Sequence, residues 1–170
     1  MAMAPTRHYD EDLRAIGQAL EAIDISVFEL KHLADWYVIQ GTPEQTGSLS
    51  SKIRQWLRRL RSGSTAESLT LTLADVEQLS HAGRAKRSNP ERLTNFQSVP
   101  NTLRTIGAYL DSREVELIEL HKRRISITLS YRDKAGRERK EDRPISSFYK
   151  LFLELRENRS RESSCATTHQ

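Results

Sequence analysis

A single cysteine, Cys165, stands in a polar stretch close to the end of the chain. It has no partner in the chain, so no disulfide framework exists. The seven glycines form neither a P-loop nor a Gly-x-Gly-x-x-Gly or Gly-x-Ser-x-Gly pattern, which leaves phosphate-cradling loops and nucleophile elbows without a basis. No apolar run approaches the length of a membrane span, and residues 1–10 lack the basic-then-apolar order of a secretory signal. The expectation is a soluble, cytoplasmic protein with no membrane partner.

Metal-ligand spacing is also missing. Of His8, His32, His81, His121 and His169, two lie close to the termini and none form a pair at ligand spacing. His32 and His121 sit near the ends of corresponding strands but one residue out of register, which would turn them to opposite faces. Asp10, Glu11 and Asp12 suit the first turn of a helix, where the dipole favours negative charge. Nothing nominates a nucleophile or an acid–base pair. The chain therefore reads as a non-enzyme, with no metal and no cofactor.

What the sequence does contain is self-similarity. Leu13-Arg14-Ala15-Ile16-Gly17 returns as Leu103-Arg104-Thr105-Ile106-Gly107, and the same offset of 90 pairs Leu20 with Leu110 and Glu29-Leu30 with Glu119-Leu120. Tyr9, Leu13, Ile16, Leu20 and Ile23 trace one face of a helix over about residues 9–23. Val99, Leu103, Ile106 and Leu110 trace another, with Ser98 as N-cap and Pro100 in the first turn. Gly17 and Gly107 fall mid-helix, where glycine costs about 1 kcal/mol relative to alanine, so something must pack closely there, most simply a crossing strand. Hairpins follow at Ile25–Leu33 with Asp35–Gln40, and at Val115–His121 with Arg124–Arg132. In the latter, Ile125, Ile127, Leu129 and Tyr131 alternate with Ser126, Thr128, Ser130 and Arg132, so one face is expected to be buried. A third, charged edge strand over Arg137–Arg143 follows the turn Asp133-Lys134-Ala135-Gly136. Each unit closes with a helix, marked by Ile53, Trp56, Leu57 and Leu60 in the first and by Phe148, Leu151, Phe152 and Leu155 in the second.

The fold class is thus α+β: an internal duplication of an α-β-β-(β)-α unit, with antiparallel hairpins packed on helices and a helical insert between the units. Residues 1–62 form the first unit and 98–158 the second. Residues 63–97 form a linker with a short strand at Leu69-Thr70-Leu71 and a helix opened by Thr72 and Asp75 that runs to about Arg87. Residues 159–170 form a disordered tail. Whether the two hairpins merge into one sheet is left open.

The charge of +4 is unevenly spread. Residues 1–40 are acidic, whereas residues 41–62 and 122–143 are basic, an asymmetry that attracts polyanions. The plain alternative is that these are the wet faces of short helices and hairpins. Two binding functions follow, from different classes. In the first, Lys122, Arg123 and Arg124 at one hairpin end and Lys134, Arg137, Arg139, Lys140 and Arg143 at the other contact nucleic-acid phosphates, joined by Arg58, Arg59 and Arg61. The element order across residues 98–158 resembles that of double-stranded RNA-binding domains, with the type of nucleic acid left open. The resemblance is one of topology alone: the segments that carry that family's lysine-rich helix start and Gly-Pro-His-type loop are here Pro144-Ile145-Ser146-Ser147 and Leu120-His121-Lys122-Arg123-Arg124. In the second, Val27, Trp36 and Val38 give the first hairpin an apolar outer face, which a partner protein or a second copy would cover. Both readings describe a non-catalytic binding or adaptor protein.

Overall fold

In a computed structural model of the chain, residues 8–22, 25–41, 68–78 and 96–166 are described. The elements in chain order are helix α1 (Tyr9–Ala22), strands β1 (Phe28–Leu33), β2 (Trp36–Gly41) and β3 (Ser68–Thr72), helix α2 (described over residues 73–78), and helix α3 (Val99–Arg113). Strands β4 (Glu116–Lys122), β5 (Ser126–Arg132) and β6 (Glu138–Pro144) follow, then a 3-10 turn (Ile145–Phe148) and helix α4 (Tyr149–Ala166). The protein is mixed α+β, and its strands form one antiparallel sheet in the order β3-β2-β1-β4-β5-β6. The two hairpins therefore merge: β1 pairs with β4, setting Leu30 opposite Leu120, Lys31 opposite Glu119 and Glu29 opposite His121.

Alternation decides which face is buried. Leu30, Ile39, Leu69, Leu71, Leu120, Ile127 and Leu129 point into one core with Leu13, Ile16 and Leu20 of α1 and Leu103, Ile106 and Leu110 of α3. That face is dry because both helices lie on it; the other face carries the polar members of each strand. Leu69-Thr70-Leu71, expected as a short strand of the linker, is the sheet's outermost strand. Leu71 pairs with Tyr37 and Leu69 with Ile39, so burying the two leucines beside those residues draws the segment into the sheet. No helix among the described residues is long and apolar enough to cross a membrane.

The two mid-helix glycines mark the contact between α1 and α3, and the element that crosses them is the partner helix rather than a strand. A Cβ on Gly17 would lie 2.6 Å from Pro100 Cα, and one on Gly107 would lie 2.3 Å from the carbonyl oxygen of Tyr9 and 2.6 Å from Asp10 Cα. Each glycine thus receives the first turn of the opposite helix. The same approach brings the Asp111 carboxylate of α3 onto the start of α1, where it accepts hydrogen bonds from the backbone N–H groups of Tyr9 (2.9 Å) and Asp10 (3.0 Å). A neighbouring helix, not a local cap, satisfies these otherwise unpaired donors.

Local signals act as the residue types suggest. Ser98 Oγ accepts from Asn101 N–H at the start of α3. Thr72 and Asp75 cap α2 reciprocally: Asp75 Oδ2 accepts from Thr72 N–H at 2.9 Å, and Thr72 Oγ1 from Asp75 N–H at 3.2 Å. A bulge between Leu117 and Glu119 breaks the β4 ladder. Side chains fill the gap: Tyr9 Oη accepts from Leu117 N–H at 3.1 Å, and His32 Nδ1–H donates to the Leu117 carbonyl at 3.0 Å. His32 is buried there and stacks on Tyr37. One expectation is corrected: α4 continues through Ala166, across residues assigned to a disordered tail. Residues 159–166 contain no glycine or proline, so nothing in them breaks the helix that Phe148 and Phe152 anchor. The helix expected over Ile53–Leu60, the linker around Ser62–Thr65 and the end of the middle helix near Arg87 lie outside the described residues.

Candidate functional site

The helix-free face, the side of the sheet that no described helix covers, is set by the register. One row across it reads Thr70, Val38, Lys31, Glu119, Ser130, Lys140; the next reads Ser68, Gln40, Glu29, His121, Thr128, Asp142. At the β1–β4 seam four ionisable side chains close a ring. Lys31 Nζ lies 2.8 Å from Glu29 Oε1 and 3.3 Å from Glu119 Oε1, while His121 places Nε2 3.1 Å from Glu119 Oε2 and Nδ1 3.7 Å from Glu29 Oε2. Burial pushes the Glu119 carboxyl up, but hydrogen bonds from His121 and Lys31 outweigh it and hold the group below its usual range. The Lys31 ammonium is held above its usual value by hydrogen bonds to Glu29 and Glu119. Glu29, Glu119 and His121 offer three ligand atoms within 4.8 Å of one another. The Lys31 ammonium already sits on both carboxylates, in the place a cation would take. In a second such group, His8, Asp10 and Asp111, both oxygens of the Asp111 carboxylate already accept from the start of α1.

Beside this ring, at the β1–β2 end, the face turns apolar. Leu33 and Trp36 are direct cross-strand neighbours and are 55% and 51% exposed. The turn between them is tight, with Ala34 in the left-handed region at φ 46°. Val38 continues the patch inward, half-buried. Val27, grouped with Trp36 and Val38 from sequence, is exposed but precedes β1 and lies at the far end of that strand, so it does not join them. Leu33 takes its place. The signal for it is in the sequence: with His32 inward, period-2 alternation turns Leu33 outward.

The predicted basic residues come apart. Lys122 is buried, 6% exposed, with Nζ donating to the Ser26 carbonyl at 2.8 Å, so it is not placed to reach a phosphate. Period 2 explains this: Lys122 shares the inward side of β4 with Leu120. Arg123 and Arg124 are exposed at the β4–β5 turn, beside Ile125, which the alternation placed on the buried face but which precedes β5 and is exposed. Lys134, Arg137 and Arg139 lie at or beside the β5–β6 turn, about 20 Å away along a seven-residue strand. They are held by local carboxylates: Lys134 by Glu114, and Arg137 and Arg139 by Asp133 at 3.1 and 3.5 Å. Lys140 is exposed on the helix-free face. Arg58, Arg59 and Arg61 lie outside the described residues.

Arg143 belongs to a separate cluster on the helix side. Glu141 accepts from Arg143 Nε at 2.6 Å, Tyr109 Oη at 3.0 Å, Arg113 Nη1 at 3.3 Å and the Tyr131 hydroxyl. Burial pushes the Glu141 carboxyl up, but the hydrogen bonds from Tyr131, Arg143 and Tyr109 prevail and hold it below the usual range. Burial and the hydrogen bond to Glu141 push Tyr109 up to about 12. Four donors around one carboxylate tie β6 to α3 and β5, a structural use of the charge at the sheet's other edge. No protein family, curated protein or solved structure matches the chain.

Proposed function

We propose that the chain is a non-catalytic, cofactor-free protein-interaction module that docks a partner protein on the helix-free face of its sheet, at Leu33, Trp36 and Val38. The observation that carries this reading is the pairing of Leu33 with Trp36, two large apolar side chains, each more than half exposed, side by side on a face that the helices leave open. Adjacent exposed aromatic and aliphatic side chains rimmed by polar groups are the anchor chemistry of protein interfaces. The ring of Glu29, Lys31, Glu119 and His121 supplies a polar rim whose carboxylates already have partners. A cytoplasmic location completes the reading.

A photo-crosslinking amino acid at position 33 tests it in the source cells. A discrete adduct at position 33, absent when the same probe replaces Lys140 on the same face, is the expected result. No adduct at either position overturns the docking site. The phosphate reading keeps one observation in its favour: Arg123 and Arg124 are exposed and make no ion pair among the described residues. Anisotropy with labelled duplex RNA, duplex DNA and single strands decides it. Binding that falls steeply with salt and is lost when both arginines become Ala would restore a nucleic-acid partner.

We further propose that the architecture is a tandem duplication, with β3 as the third strand of the first unit. Its support is the offset of 90: the β1–β4 register sets the equivalent residues Leu30 and Leu120 opposite each other, and Gly17 meets Pro100 as Gly107 meets Asp10.

A further inference from the structure

The two edges of the sheet are built differently. β6 carries the sequence Glu-Arg-Lys-Glu-Asp-Arg-Pro, six charges and a proline in seven residues. Such an edge resists pairing with another strand. β3 carries Ser-Leu-Thr-Leu-Thr, and among the described residues nothing pairs with its outer side. Its five residues carry no charge, no proline and no bulge against β2.

The pattern also selects the strand that fits. A twofold axis perpendicular to the sheet through Thr70 pairs β3 antiparallel with a second β3. Thr70 then faces its own copy, Leu69 faces Leu71 of the second copy, and Ser68 faces Thr72. Directly opposed residues in an antiparallel pair point to the same side. The leucines of both copies would therefore line the helix-covered side, while Ser and Thr of both stay on the polar side. Shifting the register by one residue would set leucine against threonine and break both layers. An isologous contact of this kind closes at two molecules, which leaves β6, the charged edge, at both outer margins.

We propose that β3 is the assembly edge of this protein, pairing with β3 of a second copy about Thr70 to continue the sheet across two molecules. The occupant is a second copy of the chain, because the five-residue pattern is complementary to itself over its full length. This edge is separate from the Leu33–Trp36 face, so each stands or falls without the other.

Charge swapping at the axis tests it. Thr70 lies half-buried on the helix-free side, so a Lys or Glu there reaches water and leaves the core intact. In sedimentation velocity over a wide concentration series, the wild-type chain is expected to shift from one-chain to two-chain mass. T70K and T70E should each remain single chains, because like charges would meet across the axis, and an equimolar mixture of the two should regain the two-chain mass. A wild-type chain that stays single at every concentration overturns the proposal. So does a T70K or T70E that associates like wild type, or a mixture of folded variants that stays single. A near-isosteric probe guards against misfolding: in a C165S background, T70C should link to itself through a short thiol-reactive crosslinker, whereas S130C on the same face should not. Absence of the T70C dimer overturns the register even if the charged variants fail to fold.

Discussion

Replacing Gly107 with alanine sets two effects of opposite sign against each other. Helix propensity alone predicts a gain, since alanine is better than glycine in a helix interior by about 1 kcal/mol. The structure predicts a loss. The new Cβ would lie 2.3 Å from the Tyr9 carbonyl oxygen and 2.5 Å from its carbon, against an optimum of about 3.5–4.0 Å for non-bonded carbon atoms. The obstructing atoms are backbone, so no rotamer change relieves the clash; α1 must move by about 1 Å. Overpacking of this kind costs about 1–3 kcal/mol. Moving α1 also loosens the Asp111 bonds to Tyr9 and Asp10 and the Tyr9 hydroxyl bond to Leu117, each worth about 1 kcal/mol. The net expectation for Gly107→Ala is a destabilisation of about 2–4 kcal/mol, a large share of the about 5–15 kcal/mol typical of a domain.

Urea denaturation followed by far-UV circular dichroism measures this directly, with the midpoint falling and the slope unchanged. Gly17→Ala should fall in the same direction by less, because its nearest neighbour is 2.6 Å away rather than 2.3 Å. Ala108→Gly, one residue along α3 and half-buried, should cost only the propensity difference of about 1 kcal/mol. A Gly107→Ala protein that is more stable than wild type would refute the close crossing of α1 and α3, and with it the account of why glycine stands there.

Other substitutions probe separate parts of the same frame. Glu141→Gln should destabilise by about 2 kcal/mol near neutral pH, since two arginines and two tyrosines lose an ionised acceptor; urea midpoints at pH 7 report it. Because the folded Glu141 carboxyl is held below its usual range, its contribution is present above the unfolded value and is lost as pH falls through the folded one. The wild-type stability curve should therefore drop below pH ~4.5 more steeply than that of the Gln variant, and parallel curves would contradict the assignment. Glu114→Gly should stabilise by about 0.5–1 kcal/mol, read as a raised thermal midpoint. Glu114 ends α3 in the left-handed region at φ 52°, where glycine is free of strain, and its ion pair with Lys134 is exposed. Asp111→Ala should cost about 1–2 kcal/mol by the same assay, because it leaves the first turn of α1 without its acceptor.

How much of this was legible in the sequence depended on whether the cause was local or distant. Periodicity placed α1, α3, both hairpins and the charged third strand to within a few residues, because alternation and helical spacing are properties of the segment itself. Ser98 and the Thr72–Asp75 pair were readable for the same reason: a cap and the N–H that donates to it sit three residues apart. The glycines announced a close contact but not its partner. Gly107 meets Tyr9, 98 positions away, and no local rule names the element that will cross there.

The site was less legible, because charge in a sequence carries no direction. Lys122, Arg123 and Arg124 read as one basic cluster. The pleat sends Lys122 inward to the Ser26 carbonyl and leaves its neighbours at the turn in water. Arg143 and Glu141 lie two apart on one strand and so share its inward side, where Tyr109, Arg113 and Tyr131 meet them from other elements. That meeting depends on how α3 lies across β5 and β6, not on any spacing within the segment. The ring of Glu29, Lys31, Glu119 and His121 needed one further fact, the register of β1 against β4. Once Leu30 faces Leu120, the flanking charges must alternate across the seam, since positions 29 and 31 are then opposed by 121 and 119. Composition gives the number of charges available to a surface, whereas pleat and register determine which of them find a partner.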